Sequence, residues 1–227
     1  RRIMKQSSAV KSFINAPYLL WSVLFIIAPM IMVVYYAFTD RNGDWTLANI
    51  TALGAYSQTF IRSIWYAFVA TIICLVLAYP LAYIMSRSSM SKQRTIMMLV
   101  MLPMWMNFLI RTYSWITLLA NTGIINTLLS KIGIGPLHMI NTPGAVILGM
   151  IYNFLPYMIL PIYSIMSKLD YRLVEAAQDL GCNSFGVLKR VIFPLSLPGV
   201  ISGITMVFVP SVSAFYISQK LGGGKYL

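Results

Sequence analysis

Five long apolar runs set the limits on what this chain can become: residues 17–38, 63–86, 95–120, 143–167 and 187–217. A helix needs about 20 apolar residues to cross the hydrocarbon core of a bilayer, and each run is long enough. Hydrophobic residues make up 59% of the chain and charged residues 10%, against about 25% charged in soluble domains. The expected fold class is an all-α polytopic membrane protein, one transmembrane domain over 1–227. The run 17–38 is longer than a signal-peptide core and lacks a small-residue cleavage site, so it is expected to be a retained first helix. The sequence begins with Arg and ends in LGGGKYL; earlier residues and a sixth span after it are expected in the natural chain.

The net charge of +12 would suggest nucleic acid in a soluble protein. Here the basic residues sit in short clusters between apolar runs, where they act as topology signals. With the N-terminus in the cytoplasm, the inside segments hold Arg1, Arg2, Lys5, Lys11, Arg87, Lys92, Arg94, Lys168, Arg172, Lys189 and Arg190. The outside segments hold only Arg41, Arg62, Lys131, Lys220 and Lys225. This bias places the N-terminus and residues 168–190 in the cytoplasm. The outer segment 121–142 carries Ile124, Ile125, Leu128, Leu129 and Ile132 at helical spacing and reads as an interfacial helix.

Several chemistries are disfavoured. One histidine, His138, and no carboxylate within any run argue against a membrane transferase and against a proton- or sodium-coupled carrier. GGGK at 222–225 lacks the spacing of a phosphate-binding loop. Cys74 and Cys182 read as free thiols. Apart from Lys189 and Arg190 at the start of 187–217, Arg111 is the one charge inside a run, expected to snorkel or to bond freed carbonyls. Pro29, Pro80, Pro103, Pro156, Pro161, Pro194, Pro198 and Pro210 lie in the runs, where either kinked packing or helices broken along a pathway would tolerate them.

The stretch SKLDYRLVEAAQDLGCNSFGVLKRVIFP, 167–194, is unlike the rest. Three of the five carboxylates, Asp170, Glu175 and Asp179, fall within it. Asp170 suits a helix N-cap and Gly181 a C′ position. Leu173, Ala176, Ala177 and Leu180 are expected on one small apolar face, with Arg172, Glu175 and Asp179 on the other side. The region 170–186 therefore reads as a short amphipathic helix outside the membrane, either an ordinary loop helix or a docking element.

Glu175-Ala176-Ala177, then Gly181, then Val191-Ile192-Phe193-Pro194 after nine residues, resembles the EAA signature of ATP-binding-cassette importer permeases. Val and Phe replace the Ile and Leu of its I-x-L-P end. LPMWMNFLIRTYSW, 102–115, and PIYSIMSKLD, 161–170, are similar to segments of the spermidine/putrescine-type permeases, as is FYISQKLGGGK, 215–225, to that group's last external loop. The resemblance implies a type I importer permease, five spans present and a sixth missing, in the bacterial inner membrane. It implies docking of an ATPase dimer through Arg172, Glu175, Ala176, Ala177, Asp179 and Gly181. It also implies a second related permease and an extracytoplasmic polyamine-binding protein. ATP and magnesium would sit on the ATPase, no cofactor on this chain, and catalysis would be the partner's. Other cargoes of the same importer class, such as sulfate or iron(III), stay open.

A polyamine path should offer aromatic faces for cation–π contact. Trp105, Asn107, Tyr113, Tyr152, Asn153 and Tyr157 are the candidates, with Asn153 and Tyr157 expected on one face at i, i+4.

Overall fold

The computed structural model describes residues 16–40 and 43–223. Arg1, Arg2, Lys5, Lys11, Arg41 and Lys225 of the charge argument lie outside the described residues. Where the sequence reading treats 1–227 as one domain, the contacts divide the chain into two units, Arg1–Gln58 and Thr59–Leu227. Among the described residues there is no strand beyond an isolated bridge, Thr39 to Trp45.

In the first unit the run 17–38 forms α1, Ala16–Ala37. Residues Val23–Ile27 are π-helical, with the Ala28 amide donating to the Val23 carbonyl oxygen. Pro29 follows directly. Its ring would crowd the carbonyl one turn back, and the wider turn gives it room. After α1 the Asp40 amide donates to Asp44 O and the Thr46 amide to Phe38 O, both at 2.9 Å. Asn49 Nδ2 donates to Tyr36 O and Thr39 O at 3.1 Å, tying this turn to the helical stretch Ala48–Ala52.

All but the first two residues of α2, Ser57–Arg87, belong to the second unit; the helix starts before the expected boundary and so makes Arg62 helical. The second unit continues with α3, Met90–Trp105, and α4, Phe108–Leu119. Then come α5, Ile124–Lys131, and α6, Pro143–Met166. α7 covers Arg172–Asp179. α8, Ser184–Val212, is followed by α9, Phe215–Leu221.

α6 and α8 form the centre. Added Cβ atoms show how near they lie: one on Gly199 would stand 2.8 Å from Pro161 O, and one on Gly203 3.2 Å from Met158 O. Small residues are the means by which membrane helices approach closely. α2 uses the same device. Ala67, Ala70, Cys74, Ala78 and Ala82 form a stripe at three- and four-residue spacing, each fully buried. Cys74, Ala78, Ala82 and Met85 share one apolar cluster with Met158, Ile159 and Ile162 of α6 and with Val200 and Val207 of α8. Two polar ties cross it: Tyr79 Oη to Ser196 Oγ at 3.0 Å, and Tyr163 Oη donating to Gln93 Oε1 at 2.7 Å. Both cysteines are free.

Two of the five expected spans are interrupted. The run 95–120 is not one helix. α3 and the Phe108–Lys131 segment meet at 92°, so four helices are long and apolar enough to cross a membrane, or five if the bent pair counts as one. Met106 and Asn107 are extended, with ψ of 145° and 134°, and Asn107 Oδ1 accepts the Leu109 amide at 2.8 Å. A polar capping residue two positions after a helix-final turn starts a new helix, and hydropathy summed over the run does not register it. The run 187–217 also divides, at Ser213–Ala214. Its end is not a loop: α9 runs to Leu221, whose carbonyl accepts the Asn141 amide at 2.9 Å. Of the eight prolines, Pro103 alone lies beside the sharp bend. Pro194 follows a second π-helical turn, Leu188–Ile192, as Pro29 does the first.

Within 121–142, α5 is anchored by a polar residue. Asn126 is buried, its Nδ2 donating to Ala120 O and Leu137 O and its Oδ1 accepting the Leu137 amide. The expected apolar stripe is split: Ile125 packs inward, whereas Ile124, Leu128 and Ile132 stay exposed.

Candidate functional site

Local hydrogen bonds position the residues around α7 at both ends. Asp170, expected as the N-cap, stands one residue ahead of it: its Oδ1 accepts the Arg172 amide at 3.0 Å, while the N-cap position falls on Tyr171, which makes no side-chain capping bond. At the other end Gly181 has φ of +83°. Its amide donates to Gln178 O at 2.8 Å and the Cys182 amide donates to Ala177 O at 3.0 Å. That pair of bonds is a Schellman ending, which needs a left-handed residue at the glycine position. Asn183 then restarts the chain: its Oδ1 accepts the Gly186 amide at 2.8 Å, which opens α8. The helix itself is therefore Arg172–Asp179, shorter than the expected 170–186.

α7 adds a buried contact to the expected faces. Val174 and Ala177 are buried in the main cluster. Leu173 and Ala176 are exposed, and Leu180 is 86% exposed. All four residues of the expected stripe, Leu173, Ala176, Ala177 and Leu180, border one groove, with Ala177 buried among them and Val174 buried beside it. The groove is open, about 410 Å³, and its far wall is Arg190, Val191, Pro194 and Leu195 of α8. Arg172, Glu175 and Asp179 are exposed beside it. Chemically this is a small apolar ledge with a charged rim, fixed to the helical body by two side chains.

The expected path residues are not gathered in one place. Trp105 ends α3 and is 77% exposed. Asn107 is the cap of α4. Tyr113 lies under Lys220, Nζ 5.7 Å from its ring centroid. Tyr152 meets Trp115 edge to face, centroids 5.4 Å apart. Asn153 and Tyr157 do not share an environment: Asn153 is buried, its Nδ2 donating to Gly149 O at 2.8 Å, while Tyr157 is 40% exposed. Asn153 Oδ1 is buried without a hydrogen-bond partner. Arg111 bonds no freed carbonyl through Nε or Nη1, which are buried without acceptors; its Cζ lies 5.9 Å from the Phe108 ring. Residues that sequence reasoning missed are Val174, Asn183 and Arg87. Asn183 had a visible signal, an Asn just after the helix-ending Gly181.

A family model described as "Binding-protein-dependent transport system inner membrane component" matches residues 76–227. The spermidine/putrescine transport system permease protein PotB of Haemophilus influenzae is 42% identical over 91% of this chain and 76% of its own length. The protein of the same name from Escherichia coli is 36% identical over 91% of this chain and 79% of its own. Among solved structures, a bacterial ABC transporter involved in import of the acidic polysaccharide alginate superposes with a TM-score of 0.74 at 19% identity. The likeness covers 96% of this chain and 79% of that one. The same kind of transporter, in complex with an alginate pentasaccharide-bound periplasmic protein, gives 0.66 at 17% identity over 96% and 85%. At those identities the structures speak for the fold.

Proposed function

We propose, from the premise that this chain belongs to the binding-protein-dependent transport system inner membrane components, that it is the permease subunit of an ATP-driven importer of polyamines. It is a multi-pass inner membrane protein. Its N-terminus and α7 face the cytoplasm in this reading, as the basic residues favour. Spermidine and putrescine would be delivered on the other side by a polyamine-binding protein. A second, related permease would supply the other half of the path. ATP and magnesium would be held by an ATPase dimer, with no cofactor on this chain.

The observation that carries the importer reading is the two-faced α7 helix. Val174 and Ala177 fix it to α2, α6 and α8 through one apolar cluster. Leu173, Ala176 and Leu180 leave a ledge for a partner, rimmed by Arg172, Glu175 and Asp179. A helix so placed can receive a push from a soluble motor and deliver it to the spans. The cargo class is supported by likeness to the permeases named for spermidine and putrescine. For the path itself, Trp105 and Tyr157 offer the open aromatic faces that an ammonium prefers. Tyr113 already faces the Lys220 ammonium.

Uptake tests the cargo. Cells lacking their own polyamine importers, and expressing the complete transport system, should accumulate labelled spermidine, and unlabelled putrescine should compete. Uptake of sulfate or iron(III) with none of spermidine would refute the cargo assignment while leaving the importer class in place.

A further inference from the structure

α7 has a second attachment, separate from the apolar anchor formed by Val174 and Ala177. Tyr171 stands immediately before α7. The guanidinium of Arg87, the last residue of α2, lies over it, with Cζ 5.0 Å from the ring centroid. Tyr83, one turn back in α2, flanks the same guanidinium at 5.8 Å. Arg87 Nε is buried and has no hydrogen-bond partner, so what holds this cation is two aromatic faces. The three residues line an open cleft of about 730 Å³ between the end of α2 and the start of α7.

We infer that Arg87 is a positioning residue that ties α2 to α7 through Tyr171 and passes displacement of α7 into α2. This rests on the reading that α7 docks an ATPase. Two attachments constrain α7 more than one does. Val174 and Ala177 hold its middle, and Arg87–Tyr171 holds its leading end, so the helix cannot swing about the anchor without moving α2 as well. α2 in turn is packed along its alanine stripe against the centre of the body. The chemistry suits a moving joint. A hydrogen-bonded ion pair loses its strength when its angles change, because hydrogen bonds are directional. A cation over a ring is held by the ring quadrupole, whose attraction extends to about 6 Å from the centroid. It tolerates sliding. Arginine rather than lysine fits the place, since its planar guanidinium stacks on aromatic faces.

The test uses the complete importer reconstituted in proteoliposomes, with spermidine taken up per ATP hydrolysed as the readout. Arg87→Ala should lower that ratio roughly fivefold, the scale of a lost cation–π contact, while the ATPase still co-purifies. Tyr171→Leu should match it, and the double variant should be no worse than either. Tyr171→Phe keeps the ring and should restore the ratio to within about twofold of wild type. A purely structural Arg87 would instead lower complex yield and melting temperature with the ratio unchanged, and that result would overturn the inference. So would additive losses in the double variant. If wild type itself lacks an ATPase, the docking reading fails and the inference fails with it. A coupled wild type beside an equally coupled Arg87→Ala sinks the inference alone.

Discussion

The Cys182 amide donates to the Ala177 carbonyl oxygen at 3.0 Å, closing the end of α7 around Gly181. The bond exists because Gly181 takes φ of +83°, and nothing lies within 4 Å of where its Cβ would be. Space is therefore not the constraint there; the backbone is. Gly181→Val should cost about 1–2 kcal/mol through left-handed strain, more than Gly181→Asn, which that region tolerates. Melting temperature of the purified complex and spermidine uptake should fall in the order Asn, then Val. Equal behaviour of the two variants would remove the conformational reason for this glycine.

Gly199 makes the opposite case, since its backbone is ordinary and its space is not. A Cβ there would meet Pro161 O at 2.8 Å and the Ile162 Cα at 3.1 Å, atoms that cannot rotate away. Gly199→Val should destabilise the α6–α8 pair by about 1–3 kcal/mol, the usual scale for overpacking. Thermal unfolding in detergent reads this directly; an unchanged midpoint would mean that the two helices are free to separate at that level.

Asn107 was a candidate for cargo contact and is found as a helix cap. The two roles separate by substitution. Asn107→Asp and Asn107→Ser keep a capping oxygen, whereas Asn107→Ala should cost about 0.5–2 kcal/mol. If capping is its role, uptake follows stability across the three variants. Normal stability with lost uptake in Asn107→Ser would place the amide on the cargo instead.

Trp105 is 77% exposed at the end of α3, so its removal leaves no cavity in this chain. Trp105→Ala should reduce spermidine uptake severalfold with complex assembly unaltered. Loss of assembly instead would assign the ring to packing against another subunit.

Much of the spans was legible because transfer of apolar side chains is a sum over about 20 residues, and α1 and α6 fall near their expected limits. The break at Met106–Asn107 was not, because that same sum averages over a single capping amide. The split of 187–217 into α8 and α9 escaped for a similar reason. The C-terminal end of α7 was readable from Gly181, whose chemistry is local, whereas its start falls one residue later than Asp170 suggested. Its anchor was not readable: Val174 is buried in the main cluster, and only the packing of the neighbouring helices decides how far the small apolar face turns inward. The close approach at Gly199 and the Arg87–Tyr171 contact join residues far apart in the chain, where periodicity has nothing to report.

The most direct measurement is ATPase activity of the purified full complex, wild type against Glu175→Lys, with and without spermidine and its binding protein. Glu175 lies on the exposed rim of α7, so a reversed charge alters the docking surface and not the packed face. With α7 as the proposed docking helix, an ATPase should co-purify with wild type and be stimulated severalfold by cargo and binding protein together, and Glu175→Lys should lose the stimulation. An intact wild-type membrane complex that carries no ATPase, or a Glu175→Lys complex stimulated as well as wild type, would contradict that role.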